Sequence, residues 1–174
     1  MIHQDVFIGV GSNLGNRFSS ISFALEQIGL YCRDVKVSSL YESSAQGFAR
    51  QPSFINCVFQ VVTSLSPWNM LKLIGKIEML HSKSRIFPNA PRSLDLDILF
   101  WGNRKIHFPG LCVPHPRVLE RGFVLAPLLE LRPALYHPTG NKLLRDVYEV
   151  LPIAQKPIKL NAFLSRISDL WSEN

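Results

Sequence analysis

Apolar and polar residues alternate along this chain with two different periods, and each stretch that keeps one period predicts an element. Asp5 to Val10 and Val35 to Tyr41 alternate as strands, and Phe54 to Thr63 reads as a longer strand. Between the first two, Phe18, Ile21, Leu25 and Ile28 recur at helical spacing, predicting a helix that ends near Gly29. Gly11 to Asn16 is the turn that precedes it. Ser66-Pro67 supplies an N-cap and a first helical residue for a second helix carrying Met70, Ile74, Ile77 and Leu80. A further strand alternates Leu94, Leu96, Ile98 and Phe100 with Ser93, Asp95, Asp97 and Leu99, followed by a Gly102-Asn103 turn and a short strand around Ile106. Glu42 to Pro52 and His81 to Ala90 are polar and read as loops. Val118 to Leu131 and Leu143 to Leu151 read as short helices. Leu160, Phe163, Leu164, Ile167 and Leu170 mark an amphipathic C-terminal helix over about residues 161–172.

This βαβ–βαβ order with an added hairpin strand predicts an α+β fold: a ferredoxin-like α/β sandwich, its mostly antiparallel sheet carrying helices on one face. With 174 residues the chain is long enough for one domain with an unstapled core, placed over about residues 5–150. Hydrophobic residues at 47% and charged residues at 18% mark a globular composition and exclude a disordered chain. No apolar run approaches the ~20 residues of a membrane span, and the first residues lack the signal-peptide pattern. Cys32, Cys57 and Cys112 are odd in number and show no CxxC spacing, which suits buried reduced thiols. A soluble cytoplasmic protein is the expectation.

Charge sharpens the picture. Nineteen Lys and Arg against thirteen Asp and Glu leave a net charge of +6, which suits nucleic acid, anionic lipid or a phosphate-rich small substrate alike. Lys83, Arg85, Arg92, Arg104, Lys105, Arg117 and Arg121 gather around Asp95 and Asp97 in sequence. Strand alternation sends those two aspartates to one face, with Cα atoms roughly 7 Å apart. Two like charges on a strand call for something positive against them. Mg²⁺ carried on a nucleotide fits, because it takes oxygen ligands from one or two carboxylates plus phosphates. A solvated strand face, its charges discouraging edge pairing, satisfies the same spacing. Phe54 and Asn56 also share a face, where a ring can stack on a flat heterocycle while the carboxamide reads its edge; core packing explains each singly as well. His115 and Arg117 stand in the proline-stiffened run Val113-Pro114-His115-Pro116-Arg117. Arg121-Gly122-Phe123 adds a second guanidinium and a second ring. No Walker A, GxGxxG, HRD/DFG or GxSxG pattern is present.

Taken together, Gly11-Ser12-Asn13-Leu14-Gly15, Ser39-Leu40-Tyr41-Glu42-Ser43, Phe54-Ile55-Asn56, the run from Pro91 to Leu99, and Pro114-His115-Pro116-Arg117 with Arg121 to Leu128 resemble the 6-hydroxymethyl-7,8-dihydropterin pyrophosphokinases of folate biosynthesis. The resemblance covers about residues 5 to 150 in unbroken order. It implies a catalytic domain that transfers pyrophosphate from ATP to a pterin alcohol, releasing AMP. By that resemblance Asp95 and Asp97 hold two Mg²⁺ bridging the ATP phosphates. Arg92, His115, Arg117, Arg121 and Ile98 contact ATP. Ser43, Ser44, Gln46, Phe54, Asn56 and Phe123 contact the pterin, with Asp95 beside its hydroxyl; Arg92, Lys83 and Arg85 join the aspartates in catalysis. Glu78 matches a family glutamate near the site.

The chain departs from the family pattern at Ser82-Lys83, where many members have Gly-Arg, at Asn89-Ala90 for Trp-Gly, and at Gly75 for a more polar residue. The loops Glu42–Pro52 and His81–Ala90 are the expected lids over ATP. The resemblance points away from nucleic acid and membrane, and a monomer is the working expectation. A nucleic-acid-binding ferredoxin-like module would need an RNP1-like run, which Phe54 to Phe59 lacks. A two-metal phosphohydrolase would need more carboxylate or histidine ligands than the sequence supplies beside Asp95 and Asp97.

Overall fold

A computed structural model describes residues 3–45, 51–81 and 92–160. Three long strands organise it: β1 (Gln4–Ser12), β4 (Phe54–Thr63) and β5 (Asp95–Trp101), with β1 central and antiparallel to both. On the far side of β4 lie β2 (Arg33–Val37) and β3 (Tyr41–Ser43), and β3 is flanked in turn by β8 (Ile158–Lys159). The order β5-β1-β4-β2/β3, with helix α1 (Arg17–Gly29) joining β1 to β2 and α2 (Pro67–His81) joining β4 to β5, is two interleaved split βαβ units. The helices start where their caps allow. Asn16 Oδ1 accepts the Ser19 N–H at 3.1 Å, and Ser66 Oγ accepts the Asn69 N–H at 3.2 Å.

Alternation decides which face each residue serves. Val6, Ile8 and Val10 of β1, Ile55, Cys57 and Phe59 of β4, and Leu96 and Ile98 of β5 pack against Ile21, Leu25 and Ile28 of α1 and Met70, Ile74 and Ile77 of α2. Full burial of each such side chain is worth roughly 1.5–3 kcal/mol. The opposite face is also covered, contrary to the expectation of helices on one face. Phe7, Val58, Leu99 and Phe100 pack beneath α3 (Gly122–Leu131) and α4 (Leu144–Glu149) in a second apolar cluster. Phe100 sits there with Leu99, its sequence neighbour, because the β1–β5 register slips by one residue at Phe7/Ile8 and reverses the alternation.

Other differences are local. The strand expected over Val35–Tyr41 is two strands, since Ser38 leaves the ladder to donate its N–H to the Val58 carbonyl and accept the Val58 N–H on Oγ, both at 3.0 Å. The loop expected from Glu42 begins as strand through Ser43. A two-stranded hairpin, β6 (Ile106–Phe108) and β7 (Leu111–Val113), turns at Gly110, whose φ of 82° suits a residue without a side chain. The segment expected as one helix from Val118 is a 3₁₀ turn over Val118–Glu120, then α3. The C-terminal helix and most of the two expected lids fall outside the described residues. No helix among the described residues is long and apolar enough to cross a membrane.

Candidate active site

The helices on the second face cover only half of the sheet, and the uncovered half is the floor of a cleft of about 200 Å³. Its centre is bare main chain. Gly11 of β1 lies between Asn56 of β4 and Asp95 of β5, and Gly9 lies between Val58 and Asp97. With no side chain on the middle strand, the carboxamide and the two carboxylates face one another across open backbone. Phe54 and Phe123, the latter at the first turn of α3, line this cleft with Arg121.

Asn56 is 5% exposed and its amide has a defined orientation. Nδ2 donates to Ser43 Oγ at 2.9 Å and to the Tyr41 carbonyl, which can only accept, at 3.4 Å. Oδ1 therefore stands over Gly11, 3.2 Å from where a Cβ would be, and presents an acceptor to the cleft. The site asks its ligand for a donor at this edge.

The opposite wall is ionic. Arg92 Nη2 lies 3.0 Å from Asp95 Oδ2, and Arg121 Nη1 lies 3.4 Å from Asp97 Oδ2. The two guanidinium groups also sit over the aromatic walls, 6.0 Å from the Phe54 ring centroid and 5.7 Å from that of Phe123. Nε of both arginines is buried without a partner among the described residues. Burial pushes the Arg121 pKa below its ordinary value, against the pull of Asp97. Desolvated guanidinium groups of this kind are strong anion binders. His115 Nε2 is 3.7 Å from Asp97 Oδ2, while Nδ1 accepts the Arg117 N–H at 3.1 Å, which puts the proton of the neutral ring on Nε2. Burial holds the His115 pKa below the usual imidazole range; Asp97 opposes this, and Arg121 and Arg117 reinforce it.

Three side chains hold the ionic wall in place. Asn13 Oδ1 accepts the Arg92 N–H at 2.8 Å, and Asn13 N–H donates to the Arg92 carbonyl at 3.1 Å. Ser12 Oγ donates to the Ser93 carbonyl at 2.6 Å. Glu78 of α2 accepts the Leu96 N–H at 2.8 Å, on the outer edge of β5 and between the two aspartates in sequence.

On its other side, Asp97 opens onto a second groove lined by Leu71, Ile74, Ile98, Cys112 and His115. Asp97 belongs to both depressions.

Residues 7–133 match the family described as 7,8-dihydro-6-hydroxymethylpterin-pyrophosphokinase (HPPK). The chain belongs to this HPPK family, one of ATP-dependent pyrophosphokinases. It is 39% identical over 141 residues to the 2-amino-4-hydroxy-6-hydroxymethyldihydropteridine pyrophosphokinase of Aquifex aeolicus, covering 81% of this chain and 88% of that protein. It is 40% identical over 148 residues to the folic acid synthesis protein fol1 of Pneumocystis carinii, covering 84% of this chain but only 20% of that much longer protein. A solved HPPK-DHPS structure in complex with substrates superposes with a TM-score of 0.70 at 15% identity, covering 86% of this chain and 43% of that one, and shows the shared fold.

Within the HPPK match, the structure gathers Phe54, Asn56, Arg92, Asp95, Asp97, Arg117, Arg121 and Phe123 around one cleft, with Ser43 at its edge. Ser44 is exposed and lines a neighbouring groove behind Ser43. Ile98 points to the other face of β5 and reaches the second groove with His115. Gln46, Lys83 and Arg85 lie outside the described residues. The contributions of Gly11, Asn13 and the Tyr41 carbonyl were not anticipated. The nearest signal was an asparagine inside the glycine-flanked turn Gly11–Gly15, a residue 2% exposed in the fold.

Proposed function

We propose that this chain transfers pyrophosphate from ATP to 6-hydroxymethyl-7,8-dihydropterin. The observation that carries this reading is the sharing of Asp97 by two depressions of different chemistry. The cleft with two aromatic walls and the Asn56 acceptor suits a flat heterocycle bearing N–H donors, as a pterin does. The second groove, apolar along Leu71, Ile74 and Ile98, suits an adenine. A triphosphate running from one to the other passes the Asp95/Asp97 row and the guanidinium groups of Arg92 and Arg121.

Asp95 and Asp97 would hold the two Mg²⁺ that accompany the nucleotide. They fit this role as hard oxygen donors two residues apart on one face, beside anion-binding arginines. No cluster of three or more His, Cys, Asp or Glu suited to a metal occurs among the described residues, so phosphate and water oxygens would complete the shell. Bound there, Mg²⁺ supplies neutralisation of phosphate charge. The protein supplies positioning. Phe54, Phe123 and Asn56 orient the pterin so that its hydroxyl oxygen faces the β-phosphorus. That oxygen forms the new P–O bond, the bond from the β-phosphorus to the bridging oxygen of the α-phosphate breaks, and AMP leaves with the electron pair. Asp95 would accept the hydroxyl proton. Arg92 and Arg121 offset the charge that develops on the phosphoryl oxygens.

Product analysis tests this directly. Protein mixed with ATP, Mg²⁺ and the pterin alcohol should yield AMP and pterin pyrophosphate, and Asp97→Ala should lose most of that turnover. ATP consumption without pterin would assign a phosphohydrolase instead. Salt-sensitive binding of single-stranded RNA, without turnover, would assign a nucleic-acid module.

A further inference from the structure

The family match ends at residue 133, yet the chain returns to the pterin side of the cleft in residues 153–160. This segment touches both elements that frame that side. β8 pairs with β3 (Tyr41↔Lys159, Glu42↔Ile158), and Leu160 N–H donates to the Leu40 carbonyl at 2.9 Å. Three residues earlier, Gln155 lies on the first residue of α3. A Cβ on Gly122 would overlap the Gln155 carbonyl oxygen and stand 3.0 Å from its carbon, so only glycine admits the segment here. The other end of α3 is tied as well. Glu130 accepts from Ser39 N–H at 2.9 Å, Ser39 Oγ at 2.8 Å and Tyr41 O–H at 2.7 Å, and lies 3.4 Å from Lys159 Nζ.

The residues so braced are those that frame the pterin pocket. Phe123 follows Gly122 directly. Ser43 ends β3 and accepts from Asn56, fixing which end of that carboxamide faces the cleft. These contacts and the strap add to the packing of α3 on Val58 of β4 in setting the separation of the Phe123 wall from the Asn56 edge. The aspartate row, on β5 at the opposite edge of the sheet, makes none of these contacts, and Arg121, although it adjoins Gly122, is held by Asp97.

We propose that residues 153–160 are a positioning strap: they set the width of the pterin pocket and thereby pterin affinity, without acting on the nucleotide. This rests on the pterin reading of the cleft. The main link is the β3–β8 ladder, because the half-exposed Lys159–Glu130 pair is worth little by itself.

The test uses full-length protein. Ile158 is exposed, and in an antiparallel ladder in which Leu160 N–H is bonded, alternation assigns the Ile158 N–H to the Glu42 carbonyl. Ile158→Pro removes that donor without emptying the core. Leu160→Pro removes the neighbouring bond together with the packing of Leu160 on the core, as a second variant whose melt is checked, and Ile158→Thr keeps the ladder as a control. Calorimetry would titrate 6-hydroxymethyl-7,8-dihydropterin into protein saturated with α,β-methylene-ATP and Mg²⁺, and titrate the nucleotide alone into the same variants. The expected result is a pterin Kd at least fivefold weaker in both proline variants, with the nucleotide Kd within twofold of wild type and Ile158→Thr unchanged. An unchanged pterin Kd in the proline variants overturns the strap, and so does a parallel loss of both ligands. Failure of the wild type to bind the pterin overturns the proposed function itself, a distinct outcome.

Discussion

If the cleft holds a pterin as proposed, a single methyl group on its floor should separate ligand recognition from stability of the fold. Gly11→Ala places a Cβ 3.2 Å from Asn56 Oδ1 and 3.6 Å from Phe54 Cδ1, on the face that Asn56 and Asp95 share. The first distance is tight but not prohibitive, and β1 keeps both ladders, so the fold should persist. Alanine in a strand even recovers part of the roughly 0.5–1 kcal/mol that glycine costs there. The ligand fares differently. The methyl covers the one acceptor that Asn56 presents, because Nδ2 is committed to Ser43 and Tyr41. A pterin N–H facing a blocked acceptor loses its bond, and both groups are left buried and unpaired, at about 1–3 kcal/mol. At 1.4 kcal/mol per tenfold, the pterin Kd should weaken roughly 5- to 150-fold. Calorimetry with the nonhydrolysable ATP analogue and Mg²⁺ present reads it, and a thermal melt checks the fold. Nucleotide affinity should be unchanged, since the second groove is not touched. A pterin Kd within twofold of wild type, in a variant that melts normally, would refute the placement of the pterin edge at Asn56.

Two further outcomes follow from the ionic wall and one of its supports. Glu78→Ala removes the acceptor for the Leu96 N–H on the outer edge of β5, at about 1–2 kcal/mol once partial solvation of a charged hydrogen bond is allowed for, which lowers Tm by roughly 2–4 °C per kcal/mol in a chain of this size. Turnover should fall more than tenfold as the aspartate row loosens, and Glu78→Gln, which retains an acceptor, should recover most of both; equal losses in the two variants would sink this role. Because burial holds the His115 pKa below its ordinary value, the unfolded chain binds more protons between that lowered value and about 6.5. Stability is therefore fully present above about 6.5 and lost as pH falls through the folded pKa. Urea denaturation at stepped pH should show a shallower acid decline in His115→Gln than in wild type, with a residual slope from His137, whose pKa burial also lowers; identical slopes would show that His115 is not the titrating group.

Much of the site was legible because strand alternation is local. Asp95 with Asp97 and Phe54 with Asn56 share faces for the reason the spacing gave, and Ser66-Pro67 opens α2 as its chemistry requires. What escaped is what depends on partners far along the chain. Asn13 meets Arg92 at a separation of 79 residues, and Glu78 of α2 meets Leu96 of β5 at a separation of 18. Nothing in the side chain of an asparagine or a glutamate names such a partner; the sheet order does. The alternation itself also fails where the backbone slips. Alternation groups Phe100 with Leu96 and Ile98, but the register shift opposite Phe7 turns it to the other face.

An apolar residue that alternation groups with the carboxylates of β5 explains the largest difference between the expected and observed layers. Leu99 shares a face with Asp95 and Asp97, and it is fully buried. A strand that places carboxylates and then leucine on one side must pass from an open region to a covered one. That transition predicts a second helical layer ending part-way along the sheet. Leu125 and Leu128 of α3 fulfil it, packing with Leu99 and Phe100 over the covered half. On β1 the same boundary falls between Phe7, which is buried, and Gly9 and Gly11, which form the cleft floor. The cleft thus exists because three adjacent strands change character at nearly the same level, β4 two residues later than β1 and β5. β1 does so by losing its side chains, β5 by gaining charge, and β4 by exchanging Val58 for Asn56 and Phe54. A substitution that restored bulk at any one of these levels, as Gly11→Ala does in miniature, would close the site without disturbing the core on the far face.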